Sequence, residues 1–245
     1  MSHPRLQVTP LGAELLDDPA ADPDTVARSL RNVARSNRWF GGAAAVRRGL
    51  VLTLRGLPRD RALTLLDLGT GAGDLPRWAV RWARRRGYTL RPLGLELSRT
   101  AAAMARRAGV PCAVADAGAP PLREQSVDLV LVSQVLHHLT DDSAVRLIRT
   151  CDALARVGVV IADLRRARIA ALAFRIGARV LRFDPVTVAD GLTSIRRGYT
   201  PEELGALLKR AGVSGRVERG LGYRLVAAWR TASAPGGPAA PETPR

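Results

Sequence analysis

A chain of 245 residues with 47% apolar side chains is long enough to bury one substantial core and too apolar to be disordered throughout. Lysine and arginine total 38 against 22 acidic residues, a net charge of +16, and Lys209 is the single lysine among those cations. That surplus leaves room for an anionic partner, whether a membrane surface, a nucleic acid, or an acidic carrier or substrate. Two distant cysteines, Cys112 and Cys151, argue against both a disulfide framework and a zinc site, and fit a reducing cytosol.

Residues 1–22, punctuated by Pro4, Pro10 and Pro19, read as a loose leader with no signal-peptide pattern. Asp24 to Arg35 reads as a helix with Asp24 as its N-cap. Trp39 and Phe40 then stand beside Gly41 and Gly42, which predicts a bend that either packs into the core or folds over a site, and Ala43 to Leu54 continues as a second helix. From residue 62 strands and helices alternate. Leu63–Leu68, Leu90–Leu97, Val110–Ala115, Val127–Ser133 and Val157–Asp163 are aliphatic strand runs, separated by helical runs over Leu75–Arg86, Arg99–Ala108 and Asp141–Leu154. This rhythm predicts a Rossmann-like, doubly wound and mostly parallel sheet covered by helices on both faces. The longest uncharged apolar stretch, Leu129 to Thr140, is too short to span a bilayer.

Arg165 to Arg182 reads as an inserted helix with a basic stripe, followed by a loop over residues 184–199. A capping box then starts a helix at Thr200-Pro201-Glu202-Glu203, which Gly212 stops. Val213–Glu218 and Tyr223–Trp229, four residues apart, read as an antiparallel pair that completes seven strands, and residues 231–245 read as a disordered tail. The expected organisation is an N-terminal helical cap over 1–59, a main domain over 60–230 with a helical lid at 165–199, and the tail.

The chemistry is carried by the strand-to-helix turn Asp67-Leu68-Gly69-Thr70-Gly71-Ala72-Gly73-Asp74. Glycines there let backbone approach a ligand closely. A dinucleotide fingerprint needs glycine or alanine where Asp74 stands, and that carboxylate is a poor neighbour for a pyrophosphate. The absence of a Gly-Lys-Ser/Thr sequence also excludes a P-loop, so the turn fits a nucleoside without phosphates. Glu96 closes the second strand, where an acid can accept from ribose hydroxyls. Asp116 closes the third, where an acid can accept from an adenine amino group. The three acids line one crevice at the carboxyl edge of the sheet.

Asp67-x-Gly69-x-Gly71-x-Gly73, Glu96, Asp116 and Ser133-Gln134-x-x-His137-His138 resemble the class I S-adenosylmethionine-dependent methyltransferases, in particular the small-molecule branch that includes the quinone-biosynthesis C-methyltransferases. The resemblance covers residues 60–165. It implies S-adenosylmethionine as cofactor, held by Asp67, Gly69, Thr70, Gly71, Gly73, Glu96, Leu97, Asp116, Ala117 and Gln134, with no metal. It implies methyl transfer to oxygen or carbon of a small, lipophilic or carrier-bound acceptor. His137 and His138, after the fourth strand, are the candidate acid–base residues, with His137 expected to face the pocket and His138 to serve the scaffold. Trp39, Phe40 and Tyr199 are candidate lid residues. Asp163 is expected to pair with Arg165 or Arg166. A cytoplasmic location is expected, with peripheral contact at the inner face of the membrane or contact with an acidic carrier protein as two open options. An RNA methyltransferase is the alternative the charge suggests, weakened by the scarcity of aromatic residues and of any separate RNA-binding module; a non-catalytic cofactor-binding homologue is the other.

Overall fold

The computed structural model describes residues 6–12, 14–18, 20–232 and 234. Seven strands, β1 (Ala62–Leu68), β2 (Thr89–Glu96), β3 (Cys112–Val114), β4 (Val127–Ser133), β5 (Ala155–Leu164), β6 (Arg216–Gly220) and β7 (Arg224–Arg230), form one sheet in the order β3-β2-β1-β4-β5-β7-β6. The first five run parallel, and β7 pairs antiparallel with both β5 and β6. Sequence order reverses between β1 and β4, the switch point outside which open α/β sheets bind ligands.

Side chains alternate across the sheet, and both faces are covered. Leu129 and Leu131 of β4 point into a cluster with Leu50, Leu54 and Trp82, from α2 (Gly42–Leu54) and α3 (Asp74–Arg84). Val130 and Val132 point the other way, toward Leu147, Ile148 and Leu204 of α5 (Asp141–Leu154) and α8 (Pro201–Ala211). Every residue of β4 is therefore buried, which explains the aliphatic run Leu129–Val132; the buried Asp128 at its start accepts from Thr64 N–H at 2.8 Å. α4 (Arg99–Arg107) packs on β2 and β3.

The two helices of the expected N-terminal cap do different things. α2 is part of the core, whereas α1 (Pro23–Trp39) lies over the carboxyl edge of the sheet, where Val26 and Leu30 pack on Ala101 and Ala72. The N-cap of α1 is Asp22, whose carboxylate accepts from Thr25 N–H at 2.9 Å, and Asp24 sits in the first turn behind Pro23. The loose leader is pinned: Val8 bridges to Leu139, Gln7 N–H donates to Ser143 Oγ at 2.8 Å, and Glu14 is buried.

The expected loop over 184–199 is instead α7 (Pro185–Arg197), which follows α6 (Arg168–Val180). Asp184 caps α7 and Pro185 occupies its first turn, so residues that read as loop punctuation are helix-start signals. At the other end, Thr231 is buried and donates to Arg156 and Val157 carbonyls; the rest of the expected disordered tail, 233 and 235–245, lies outside the described residues. No helix among the described residues is long and apolar enough to cross a membrane.

Candidate functional site

The turn after β1 holds three glycines at positive φ: Gly69 at 74°, Gly71 at 53° and Gly73 at 77°. A side chain on Gly69 would place its Cβ 2.5 Å from Val135 Cγ2, whereas one on Gly71 would meet nothing nearer than Leu30 Cδ2 at 3.6 Å. The open side of the turn is at Gly71. Its N–H donates to Glu96 Oε2 at 2.8 Å, and Ser98 N–H donates to the other oxygen at 3.0 Å, so Glu96 ties the turn to the start of α4.

Asp67 is 2% exposed. One of its oxygens accepts from Thr70 Oγ1 at 2.8 Å; the other, Oδ1, is buried with no hydrogen-bond partner. Burial pushes this carboxyl up to about 8, the Thr70 hydrogen bond opposing and the nearby acids Asp74 and Glu96 adding to the rise. An orphaned acceptor at the root of a glycine turn is a cost that a hydrogen-bonding ligand would remove. Asp116 stands half-buried past the end of β3, with Oδ1 accepting from Gly118 N–H at 2.8 Å, and Ala117 is beside it. Leu97 is 70% exposed at the mouth, free to cover a flat ligand.

Gln134 follows β4 in a left-handed conformation, φ 58°. Its side-chain amide donates to Asn37 Oδ1 at 2.6 Å, and Asn37 Nδ2 donates to Asp74 Oδ2 at 3.0 Å. Burial raises the Asp74 carboxyl, with the Asn37 hydrogen bond opposing. This chain of contacts clamps α1 across both lips of the crevice. Asn37 is one residue that sequence reading missed, as are Arg224 and Glu14; the signal for Asn37 was its place in the segment before the Gly41-Gly42 bend.

Beyond Gln134 lies a cavity of about 220 Å³ between α1, α6 and α7. Its wall contains all three phenylalanines of the chain, Phe40, Phe174 and Phe183, with ring centroids 5.9 to 6.5 Å apart. Polar atoms are few. Ser194 Oγ donates to Glu14 at 2.8 Å, and Asp190 accepts from Leu15 N–H. Arg224, at the start of β7, is 2% exposed and donates Nε–H to the Phe40 carbonyl at 3.1 Å, while its Nη1 has no partner. Burial pulls its guanidinium down to about 10, with Asp163 acting in the opposite direction.

The remaining candidates fall elsewhere. His137 is 2% exposed and its Nδ1 lies 2.6 Å from Asp163 Oδ1; neither histidine lines the cavity, and His137, expected to face the pocket, is the more buried of the two. Asp163 pairs with His137 rather than with Arg165 or Arg166, because it points inward between strand ends and also accepts from Leu136, His137 and Leu164 N–H groups. Burial alone would raise Asp163, yet its contact with the His137 ring and the Leu164 N–H hydrogen bond hold it below its ordinary value. His138 lies against Arg197 and Glu14, 3.3 and 3.8 Å away. Glu14, His137 and His138 bring donor atoms within 4.8 Å of one another, and the Arg197 guanidinium lies 3.0 Å from Glu14. Tyr199 is buried, donating to the Leu136 carbonyl at 2.9 Å, and so holds the scaffold rather than a lid. Trp39 is 63% exposed on the cavity rim, and Phe40 turns inward.

A family model for a methyltransferase domain matches residues 66–162. No curated protein matches the sequence. Among solved structures the chain is similar to a SAM-dependent methyltransferase from Aquifex aeolicus, at 17% identity over 84% of this chain and 97% of that one, with a TM-score of 0.56. It is similar to magnesium protoporphyrin IX methyltransferase from Synechocystis with bound SAH, at 18% identity over 84% and 87% and a TM-score of 0.53. It is also similar to human N-acetylserotonin methyltransferase in complex with SAM, at 15% identity over 86% of this chain and 56% of that one, with a TM-score of 0.58. At these identities the likeness is one of fold.

Proposed function

We propose that this chain, whose residues 66–162 match a methyltransferase-domain family, is a class I S-adenosylmethionine-dependent enzyme that methylates an oxygen or carbon of a small acceptor with an apolar body. The observation that carries this reading is the phenylalanine-walled cavity lined by Gln134, whose amide is tied through Asn37 to Asp74 of the glycine turn. S-adenosylmethionine supplies an activated methyl group on a sulfonium. The residues present fit it: the open side of Gly71, the orphaned Asp67 Oδ1, and Glu96 and Asp116 at successive strand ends are suited to its amino-acid, ribose and adenine parts.

The rest of the work is positioning and exclusion of water. Asn37 bridges Gln134 and Asp74, so α1 covers the junction where donor and acceptor would meet. Phe40, Phe174 and Phe183 suit an aromatic or isoprenoid body better than a charged one. The unpaired Nη1 of Arg224 suits an acceptor oxygen that carries negative charge as it loses its proton, such as that of a phenol or enol. Glu14 and Asp190 are the carboxylates on the cavity wall that could take that proton. Their placement supports them in this part above His137 and His138.

The test is a turnover screen by mass shift with labelled cofactor, over phenols, quinols, amines and short RNA. Methylation of phenolic or quinol acceptors, lowered at least about tenfold in kcat/KM by Arg224→Leu, is the expected outcome. Preference for RNA or for a small cationic amine would overturn the reading.

A further inference from the structure

α6 has three faces. Ala170 and Ala178 are buried, and Phe174 lies with them toward the cavity. Ile169, Leu172, Ile176 and Val180, spaced i, i+3, i+7 and i+11, are 59%, 57%, 59% and 74% exposed. At about 100° per residue these four fall within an arc of about 80°. Arg168, Arg175 and Arg179 occupy a neighbouring arc of about 40°, all three exposed. The aliphatic positions that a basic amphipathic helix would ordinarily turn into a core therefore stand in water, beside the arginines. Arg175, Arg179 and Arg182 also border a shallow outer groove floored by Val188 and Leu192 of α7.

We propose that α6 docks this enzyme onto a membrane surface containing anionic phospholipid, its aliphatic row entering the acyl boundary and its arginine row meeting the headgroups. Four large aliphatic side chains in a row form a patch that soluble surfaces rarely leave uncovered. A row of cations flanking it is complementary to an anionic leaflet, and the two rows are adjacent, so both engage in one orientation. At 13 residues the helix is about 20 Å long, which suits lying in the interface and not crossing it. A second copy of the chain would bring the same arginine row and another +16 against the first. An acidic protein would satisfy the arginines and leave the aliphatic row without a reason. The inner face of the same helix lines the cavity, so docking would bring the cavity close to an apolar acceptor dissolved in the bilayer.

The docking stands apart from methyl transfer, and its test needs neither cofactor nor acceptor. The full chain is sedimented with vesicles of phosphatidylcholine alone and of phosphatidylcholine with phosphatidylglycerol, at low and high salt. The expected result is salt-sensitive binding to the anionic vesicles. Arg175→Gln with Arg179→Gln should weaken it about 25-fold, about fivefold for each cation removed from the surface. Ile176→Glu with Val180→Glu should weaken it at least about tenfold. All four side chains are exposed, so melting temperature checks that the variants remain folded. Equal binding by the Ile176→Glu, Val180→Glu variant would overturn the proposal, as would no preference for anionic vesicles. A dimer in solution that this variant dissociates would also overturn it, assigning the face to self-association.

Discussion

Replacing Asp163 with alanine tests how the two strand ends beneath the cavity are held. The carboxylate is fully buried and accepts at 2.6 Å from His137 Nδ1, 2.7 Å from Leu164 N–H, 3.0 Å from Leu136 N–H and 3.4 Å from His137 N–H. It also acts on the buried Arg224 guanidinium. Asp163→Ala strands these donors and removes the negative charge that acts on that cation. Breaking a buried charged pair on one side costs about 3–5 kcal/mol. In a chain of this size each kcal/mol lowers the melting temperature by roughly 2–4 °C, so the expected fall is about 6–20 °C. The pH dependence has a definite sign. The folded carboxyl titrates below its ordinary 3.8, so its stabilisation is complete above that value and is lost as pH falls through the folded pKa. Thermal melts followed by circular dichroism at pH 7 and in acid measure both effects. A variant melting within about 2 °C of wild type at pH 7 would refute the reasoning.

Asp67→Asn tests the buried acid of the glycine turn. Its folded pKa is raised to about 8, so the wild-type protein loses stability as pH rises from 3.8 to about 8, and the variant does not. Urea unfolding should therefore show the variant gaining on wild type by more than about 1 kcal/mol between pH 5 and pH 8; a pH-independent difference would sink the assignment. Gly69→Ala and Gly71→Ala should separate fold from ligand. The first, with φ 74° and Val135 at 2.5 Å, should cost roughly 2 kcal/mol or more in chemical denaturation. The second, with open space, should cost about 1 kcal/mol in the same assay and lose cofactor affinity in calorimetry.

The sheet was legible because its signal is local: aliphatic runs broken by glycine turns and helices allow few other arrangements. The cofactor crevice was legible for the same reason, since Gly69, Gly71, Glu96 and Asp116 all sit at ends of strands whose order follows from chirality. What escaped was set by contacts between distant segments. Asn37 acquires its part only when α1 folds across Gln134 and Asp74, 97 and 37 residues away. The orientation of His137 depends on Asp163, which belongs to the next strand. α7 was hidden because Asp184 and Pro185 serve equally as turn and helix-start residues. The face α6 turns outward cannot be read from periodicity, which gives two apolar arcs and does not say which one meets the protein.

The most direct test of the central claim is calorimetric titration of the purified chain with S-adenosylmethionine, alone and with a phenolic acceptor, with Gly71→Arg and Asp116→Ala alongside. The account predicts saturable binding at one site, abolished by Gly71→Arg, which fills the open side of the turn, and weakened by Asp116→Ala. A folded wild-type protein that takes up no cofactor under either condition would contradict it.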